Sequence, residues 1–304
     1  MKVAVIGPAG FSGSHICREL LTRGHTVTGL SRSPAKLGAH PSYTPIPLDI
    51  NTTSIASLVP AFTGFDALID AYNGANEYKD YLEATRKILL AAKAARVGYI
   101  IKIGGSGSLE LPDGLPYETG ADSREWWLAY RRANADSETA TVHMQERFGG
   151  EVADFVRAYR DARVAIRAGK ASEEQRKLVK ETEREVLEGE GWIPDLPVAA
   201  RAGLMMFEGD KGFRWTFVSP PAVYIPGPST GKYEVWVDRM PMAKEAKTVS
   251  SDGNRFEGRI LGISAGGLAE AIVDEVEKQE KVGKHWSAVA EYEDDVAYPT
   301  LVTI

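Results

Sequence analysis

One cysteine, Cys17, stands among 304 residues, so no intramolecular disulfide can form and a thiolate metal cluster has too few ligands. Histidine is scarce as well: His15, His25, His40, His143 and His285 are scattered without the spacing of a metal site. No apolar run approaches the ~18 residues of a membrane span. Nor is there an excess of positive charge. Lys and Arg total 36 against 42 Asp and Glu, a formal net charge of −6, so nothing draws the chain to nucleic acid by charge alone. Lys2 leads through Val3-Ala4-Val5-Ile6 straight into glycine, without the long apolar stretch and small-residue cleavage site of a secretory leader. From these absences we expect a reduced, cytoplasmic setting, with no membrane and no nucleic acid as partner.

What is present reads as an α/β fold. Val3 to Ile6 is a short unbroken apolar run, the pattern of a strand covered on both faces. A glycine loop follows, then a helical pattern with Ile16, Cys17, Leu20 and Leu21 on one face, closed near Gly24. The alternation continues with strands at His25 to Leu30, Tyr43 to Leu48, Ala67 to Ala71 and Tyr99 to Ile103, and helices at Ile55 to Phe62 and Tyr78 to Ala95. Strands alternating with helices call for a doubly wound parallel sheet of Rossmann type. The texture changes near residue 121. From there to about 195 the chain is dense in charge and helical in period, with Val152, Phe155, Val156, Tyr159 and Ile166 marking one face. Ser172-Glu173-Glu174-Gln175 has the form of a capping box, and Gly189 a helix stop. Strand signals return at Phe213 to Ser219 and Lys232 to Val237, a helix at Ala265 to Lys281 and a strand-like run at Trp286 to Tyr292. The expected division is therefore one interrupted domain, 1–120 with 196–304, and a helical insertion at 121–195 between the fifth and sixth strands.

The loop Gly7-Pro8-Ala9-Gly10-Phe11-Ser12-Gly13 stands directly between a predicted strand and a predicted helix. The first glycine allows the tight turn, the second lets backbone approach a pyrophosphate, and the third lets helix pack on strand. At the end of the second strand, where a carboxylate would hold free ribose hydroxyls, the chain has Ser31-Arg32-Ser33. A guanidinium flanked by hydroxyls suits a 2′-phosphate, so NADP(H) is the expected cofactor.

These motifs together resemble the short-chain dehydrogenase/reductase superfamily, in particular its atypical NmrA-like branch with the biliverdin-reductase-B-like flavin reductases. Gly104-Gly105-Ser106-Gly107-Ser108-Leu109 is similar to that branch's G-G-x-G-S-L. Trp215-Thr216-Phe217-Val218-Ser219-Pro220-Pro221, then Pro226 to Tyr233, resemble its W-T-x-x-S-P and P-G-x-x-T-G-K-Y stretches. Ile263-Ser264 through Asp274-Glu275 resembles a further helix, with Gly267 where the branch has aspartate. The resemblance implies that Asp49 and Ile50 flank the adenine and that Ala71, Tyr72, Asn73 and Gly74 lie under the ribose. Gly104, Ser219, Pro220 and Pro221 are expected to contact the cofactor as well, with the substrate held over the nicotinamide between Ser106 and Ser219-Pro220-Pro221.

The superfamily's usual acid is a tyrosine with lysine four positions on, and none of the 12 tyrosines here has one. Tyr159 with Arg163 comes nearest, inside the insertion. Hydride transfer still needs a donor for the charge that develops on the substrate. The candidates are Ser106 and Ser108, on the loop leaving the fifth strand, and Tyr117; Tyr72 and Asn73 compete with them. Asp70 and Lys102 interrupt two apolar strands that the fold makes neighbours, so an ion pair is expected, with a role for Lys102 at the nicotinamide as the alternative. Gly262-Ile263-Ser264-Ala265-Gly266 matches a nucleophile elbow, and Asp274 and His285 follow in the right order. The acid would then share a helix with the elbow, and an N-cap role explains Ser264 more simply. Cys17 lies on an apolar helix face and reads as core. Trp126, Trp127 and Tyr130 open the insertion as core, as a lid over a flat or apolar substrate, or as a homodimer contact. The expected function is NADP(H)-dependent reduction of a small carbonyl, imine, enone or flavin-like acceptor. The alternatives are an NADP(H)-sensing regulator without chemistry and a redox-neutral isomerase or dehydratase.

Overall fold

The computed structural model describes residues 1–73, 78–247, 250, 252–294 and 296–304. β1 (Lys2–Ile6) lies between β2 (Thr26–Ser31) and β4 (Ala67–Asp70), parallel to both. Its side chains alternate between two cores, Val3 and Val5 in one and Ala4 and Ile6 in the other, as the period-2 geometry of a strand requires. β3 (Tyr43–Pro47) carries two prolines and takes the sheet edge, where a missing N–H does least harm. On the other side follow β5 (Ile100–Ile103), β6 (Trp215–Val218), β10 (Lys284–Val289) and the antiparallel β8 (Glu234–Val237). The order is β3-β2-β1-β4-β5-β6-β10-β8. Two further short strands, β7 (Val223–Ile225) and β9 (Gly262–Ser264), pair with each other.

Among the described residues, five helices cover the sheet. α1 (Phe11–Thr22) and α9 (Ala265–Lys278) pack together and bury Ile16, Leu20, Leu268 and Ile272 on one face. α2 (Ile55–Phe62), α3 (Tyr78–Ala94) and α8 (Asp195–Glu208) bury Leu58, Phe62, Ile88, Leu204 and Phe207 on the other. Cys17 is fully buried in the first core. α9 stops three residues before the sequence pattern suggests, because Gln279 adopts a left-handed conformation (φ 52°).

Between β5 and β6 lie α4 (Arg124–Asp136), α5 (Glu138–Phe148), α6 (Gly150–Arg167) and α7 (Glu173–Glu188). Ser123, Ser137 and Ser172 cap three of them, and Ser172 forms a full capping box with Gln175. The apolar face read from α6 is only partly a core face. Tyr159 is buried, whereas Val152 and Phe155 are exposed. A partly buried charge network holds these helices together: Arg132 meets Glu183, Asp252 and Glu257, and Arg163 meets Asp136 and Glu183. No helix among the described residues is long and apolar enough to cross a membrane.

Candidate functional site

The glycine turn is sterically fixed. Gly7 has φ +77°, and a Cβ there would lie 2.9 Å from the Ala71 carbonyl oxygen. A Cβ on Gly13 would come within 2.0 Å of the Gly7 carbonyl oxygen, so α1 reaches its position only over a bare Cα. Gly10 begins α1 without a side-chain cap, and no acidic residue occupies the first turn. The amides of that turn are therefore free to receive an anion, and the cradle fits a diphosphate.

A cleft of about 950 Å³ runs past this turn along the carboxyl ends of the strands. Ser31, Arg32, Asp49 and Ile50 line one end, Ala71, Tyr72 and Asn73 the middle, and Ser106, Pro220 and Pro221 the other end. Of the residues assigned to the cofactor, all line the cleft except Gly13, Ser33 and Ser219. Gly13 sits beneath the turn. Ser33 is exposed at the start of a short helical turn, and Ser219 is fully buried. Gly74 lies outside the described residues. Tyr72 is oriented from both ends: its N–H donates to Asp70 Oδ1 (3.0 Å) and its hydroxyl to Asn51 Oδ1 (2.7 Å).

The three hydroxyl candidates separate. Ser106 lines the cleft, half-buried, and its hydroxyl has no protein partner among the described residues. Ser108 turns inward. Its hydroxyl donates to the Gly105 carbonyl (2.7 Å) and lies 3.0 Å from Ser219 Oγ, which in turn lies 2.8 Å from His285 Nε2. Burial lowers His285 to about 4, so this network is neutral and internal. Tyr117 is 77% exposed, and the structure does not bring it to the cleft. Lys102 Nζ lies 2.9 Å from Asp70 Oδ2 in register across β4 and β5, with side-chain exposures of 0% and 1%. The pair lies beneath the cleft surface. Ser264 Oγ accepts the Gly267 N–H (3.0 Å) as the N-cap of α9 and donates to the Pro228 carbonyl (2.5 Å). Asp274 is bound to Arg23, Lys278 and Tyr233.

A family model of NAD(P)H-binding proteins matches residues 7–143, a span that begins at the first glycine of the turn and ends within α5. The match spans less than half of the chain and supports binding of a nicotinamide nucleotide by that stretch. The chain is similar to "uncharacterized protein YwnB" of Bacillus subtilis strain 168, 22% identical over 297 residues, covering 96% of this chain and 100% of that one. Among solved structures it resembles a "putative epimerase" of Bacteroides thetaiotaomicron (TM-score 0.60, 22% identity, 96% and 98% of the two chains). It also resembles a "putative NADH-flavin reductase" of Streptococcus pneumoniae TIGR4 (TM-score 0.57, 22% identity, 96% and 100%). At that identity these likenesses show the Rossmann-type fold.

The cleft has a second wall, in which Trp127 and Tyr130 are joined by α5 residues that the sequence reading did not single out for it. Trp127, Tyr130 and Asn134 from α4 and His143, Met144 and Arg147 from α5 face the glycine turn. The Phe11 ring is clasped by His143 (centroids 4.1 Å apart) and Tyr224 (4.7 Å), and the Tyr224 hydroxyl donates to Ser12 Oγ (3.2 Å). Pro299 and Thr300 close the same side, with Thr300 Oγ1 3.2 Å from His143 Nδ1. Trp126 is core, fully buried, whereas Trp127 and Tyr130 stack at 4.7 Å and 11° in the cleft wall. For the α5 part of this wall the local signal is the shared face of His143, Met144 and Arg147 on a single helix.

Proposed function

We propose that this domain belongs to an NADP(H)-dependent reductase of flat, conjugated small molecules, of the NmrA-like type. One observation carries the reading: the cleft that begins at Arg32 and passes the glycine turn ends against the Trp127–Tyr130 stack and the free Ser106 hydroxyl. Arg32 and Ser31 supply donors for a 2′-phosphate. Asp49, the carboxylate lining that end among the described residues, accepts the Asn51 N–H (2.9 Å). The α1 amides receive the diphosphate, and Tyr72 and Asn73 underlie the ribose. The bound cofactor supplies a hydride. Ser106 donates a hydrogen bond to the oxygen or nitrogen on which charge develops. Burial raises the Tyr130 phenol, so it keeps its proton at neutral pH and stays a donor. Asn134 Nδ2 donates to the Tyr130 and Ala222 carbonyls (2.9 and 3.1 Å), fixing the α4 wall against the loop after β6.

The test is oxidation of NADPH and of NADH with a panel of quinones, flavins and enones. The expected result is turnover with NADPH favoured at least tenfold and that preference lost in Arg32→Ala. Ser106→Ala lowers kcat by roughly a hundredfold if its hydroxyl is the donor. Tight NADPH binding without turnover on any acceptor refutes the reductase. It would favour the sensor, which the missing Tyr-x-x-x-Lys dyad keeps in view.

A further inference from the structure

The insertion brings to the cleft a cation that the function above leaves without a task. Arg147 lies one helical turn beyond His143 on α5 and lines the cleft with its side chain exposed. It makes no ion pair among the described residues; its guanidinium lies 5.1 Å over the Phe148 ring. The adjacent Glu146 also lines the cleft; its carboxylate accepts the Thr300 hydroxyl and forms no ion pair with Arg147. The other arginine lining the cleft, Arg32, follows the end of β2. Arg147 shares the lining of this cleft with Trp127, Tyr130, His143 and Tyr224. An exposed unpaired arginine on an ordinary surface is solvated and signifies little. Here it lines the same cleft as a stacked Trp–Tyr pair, and a guanidinium fork sharing a cleft with an aromatic plate matches one ligand chemistry: a flat ring bearing an acid group.

We propose that Arg147 makes this cleft selective for flat conjugated substrates that carry a carboxylate or sulfonate over their neutral counterparts. The inference rests on the reductase reading of the same cleft and names its substrate class. The ring stacks on Trp127 and Tyr130, and the acid group is received by the guanidinium. The insertion is then a specificity element and not only a cover.

The experiment compares naphthoquinone with naphthoquinone sulfonate as acceptors for the wild type, Arg147→Gln and Arg147→Lys. The sulfonate alters the quinone's own reactivity, so the readout is the change between variants in the ratio of kcat/KM for the two acceptors. A charge-assisted hydrogen bond is worth enough that the ratio falls roughly tenfold or more in Arg147→Gln and is partly kept in Arg147→Lys. An unchanged ratio overturns the proposal. So does a loss confined to NADPH affinity, which would assign Arg147 to the cofactor's diphosphate. If no quinone, flavin or enone is reduced, the reductase reading fails. Calorimetric titration of both compounds into NADP-saturated protein then decides this inference separately. Selectivity for the sulfonate that Arg147→Gln abolishes supports it, and equal affinities overturn it.

Discussion

Removing either member of the Asp70–Lys102 pair should cost far more than removing both. The two groups face each other at 2.9 Å with side-chain exposures of 1% and 0%, so neither can be rehydrated in the folded state. Burial alone pushes the Lys102 ammonium down; the facing Asp70 charge and the Tyr81 hydroxyl outweigh it and leave the group raised, hence charged. Lys102→Met strands a carboxylate and Asp70→Asn strands an ammonium, each costing about 3–5 kcal/mol, whereas the double variant should fall within roughly 1–2 kcal/mol of wild type. Asp70→Asn is chosen because its amide oxygen can still accept the Tyr72 N–H that Asp70 Oδ1 accepts at 3.0 Å. Urea unfolding of the four proteins gives the coupling directly. A second signature comes from pH. In Asp70→Asn the lone lysine has a folded pKa below its unfolded value of about 10.4, so the unfolded chain binds more protons and stability rises with pH through that window. The wild-type pKa is raised instead and gives no such rise. Single variants that each lose under about 1 kcal/mol and combine additively would refute the reasoning. A Lys102→Met protein that folds but has lost turnover would move Lys102 from the core to the chemistry.

Gly13→Ala should weaken NADPH binding at least tenfold, measured by fluorescence titration, because its Cβ would meet the Gly7 carbonyl oxygen at 2.0 Å and backbone cannot step aside. Gly10→Ala, with 3.4 Å to the same oxygen, should leave the fold intact. Acid should destabilise the protein through His15, His143 and His285, each lowered by burial to about 4. The unfolded chain takes up these protons from about pH 6.5 downward, so each histidine removes roughly 2 kcal/mol by pH 5. Urea midpoints that stay flat between pH 7.5 and 5 would contradict this. Arg132→Met should cost about 3 kcal/mol in urea unfolding, since it leaves Glu183, Asp252 and Glu257 facing an apolar side chain; a neutral result would mean that the network is solvated and weak.

The sheet was legible because its signals are local. Val3 to Ile6 reads as a buried strand from four consecutive residues, and the doubly wound order then makes β4 and β5 neighbours. That is why Asp70 and Lys102 can be matched across a gap of thirty-two positions from the sequence alone. Arg32 and the glycine turn were legible for the same reason, since strand ends fix where cleft residues fall. Neither the hydroxyl candidates nor the roof could be sorted this way. Ser106 and Ser108 stand two apart on one loop, yet one faces the cleft and the other bonds Ser219, a distinction made by a partner from β6's end. Phe11 meets His143 and Tyr224, and His143 meets Thr300, contacts whose partners lie far apart in the chain and leave no periodicity in any window. β7 and β9, at three residues each, are too short for a pattern of two to show.

β5 and β6 are hydrogen-bonded neighbours, yet more than a hundred residues of chain separate them. The thermodynamic penalty of that arrangement is small, about 0.6 kcal/mol beyond a crossover of half the length, because closure entropy grows only with the logarithm of the loop. The kinetic consequence is larger. Strands β1 to β5 can pair through short connections, whereas the seam to β6 must wait for a long-range encounter, the kind of contact that slows folding. Until it closes, the edge of β5 and its loop are exposed, and half of the cleft exists without the other. Refolding should therefore show sheet formation preceding recovery of NADPH binding, and the interval between them measures how long the seam stays open.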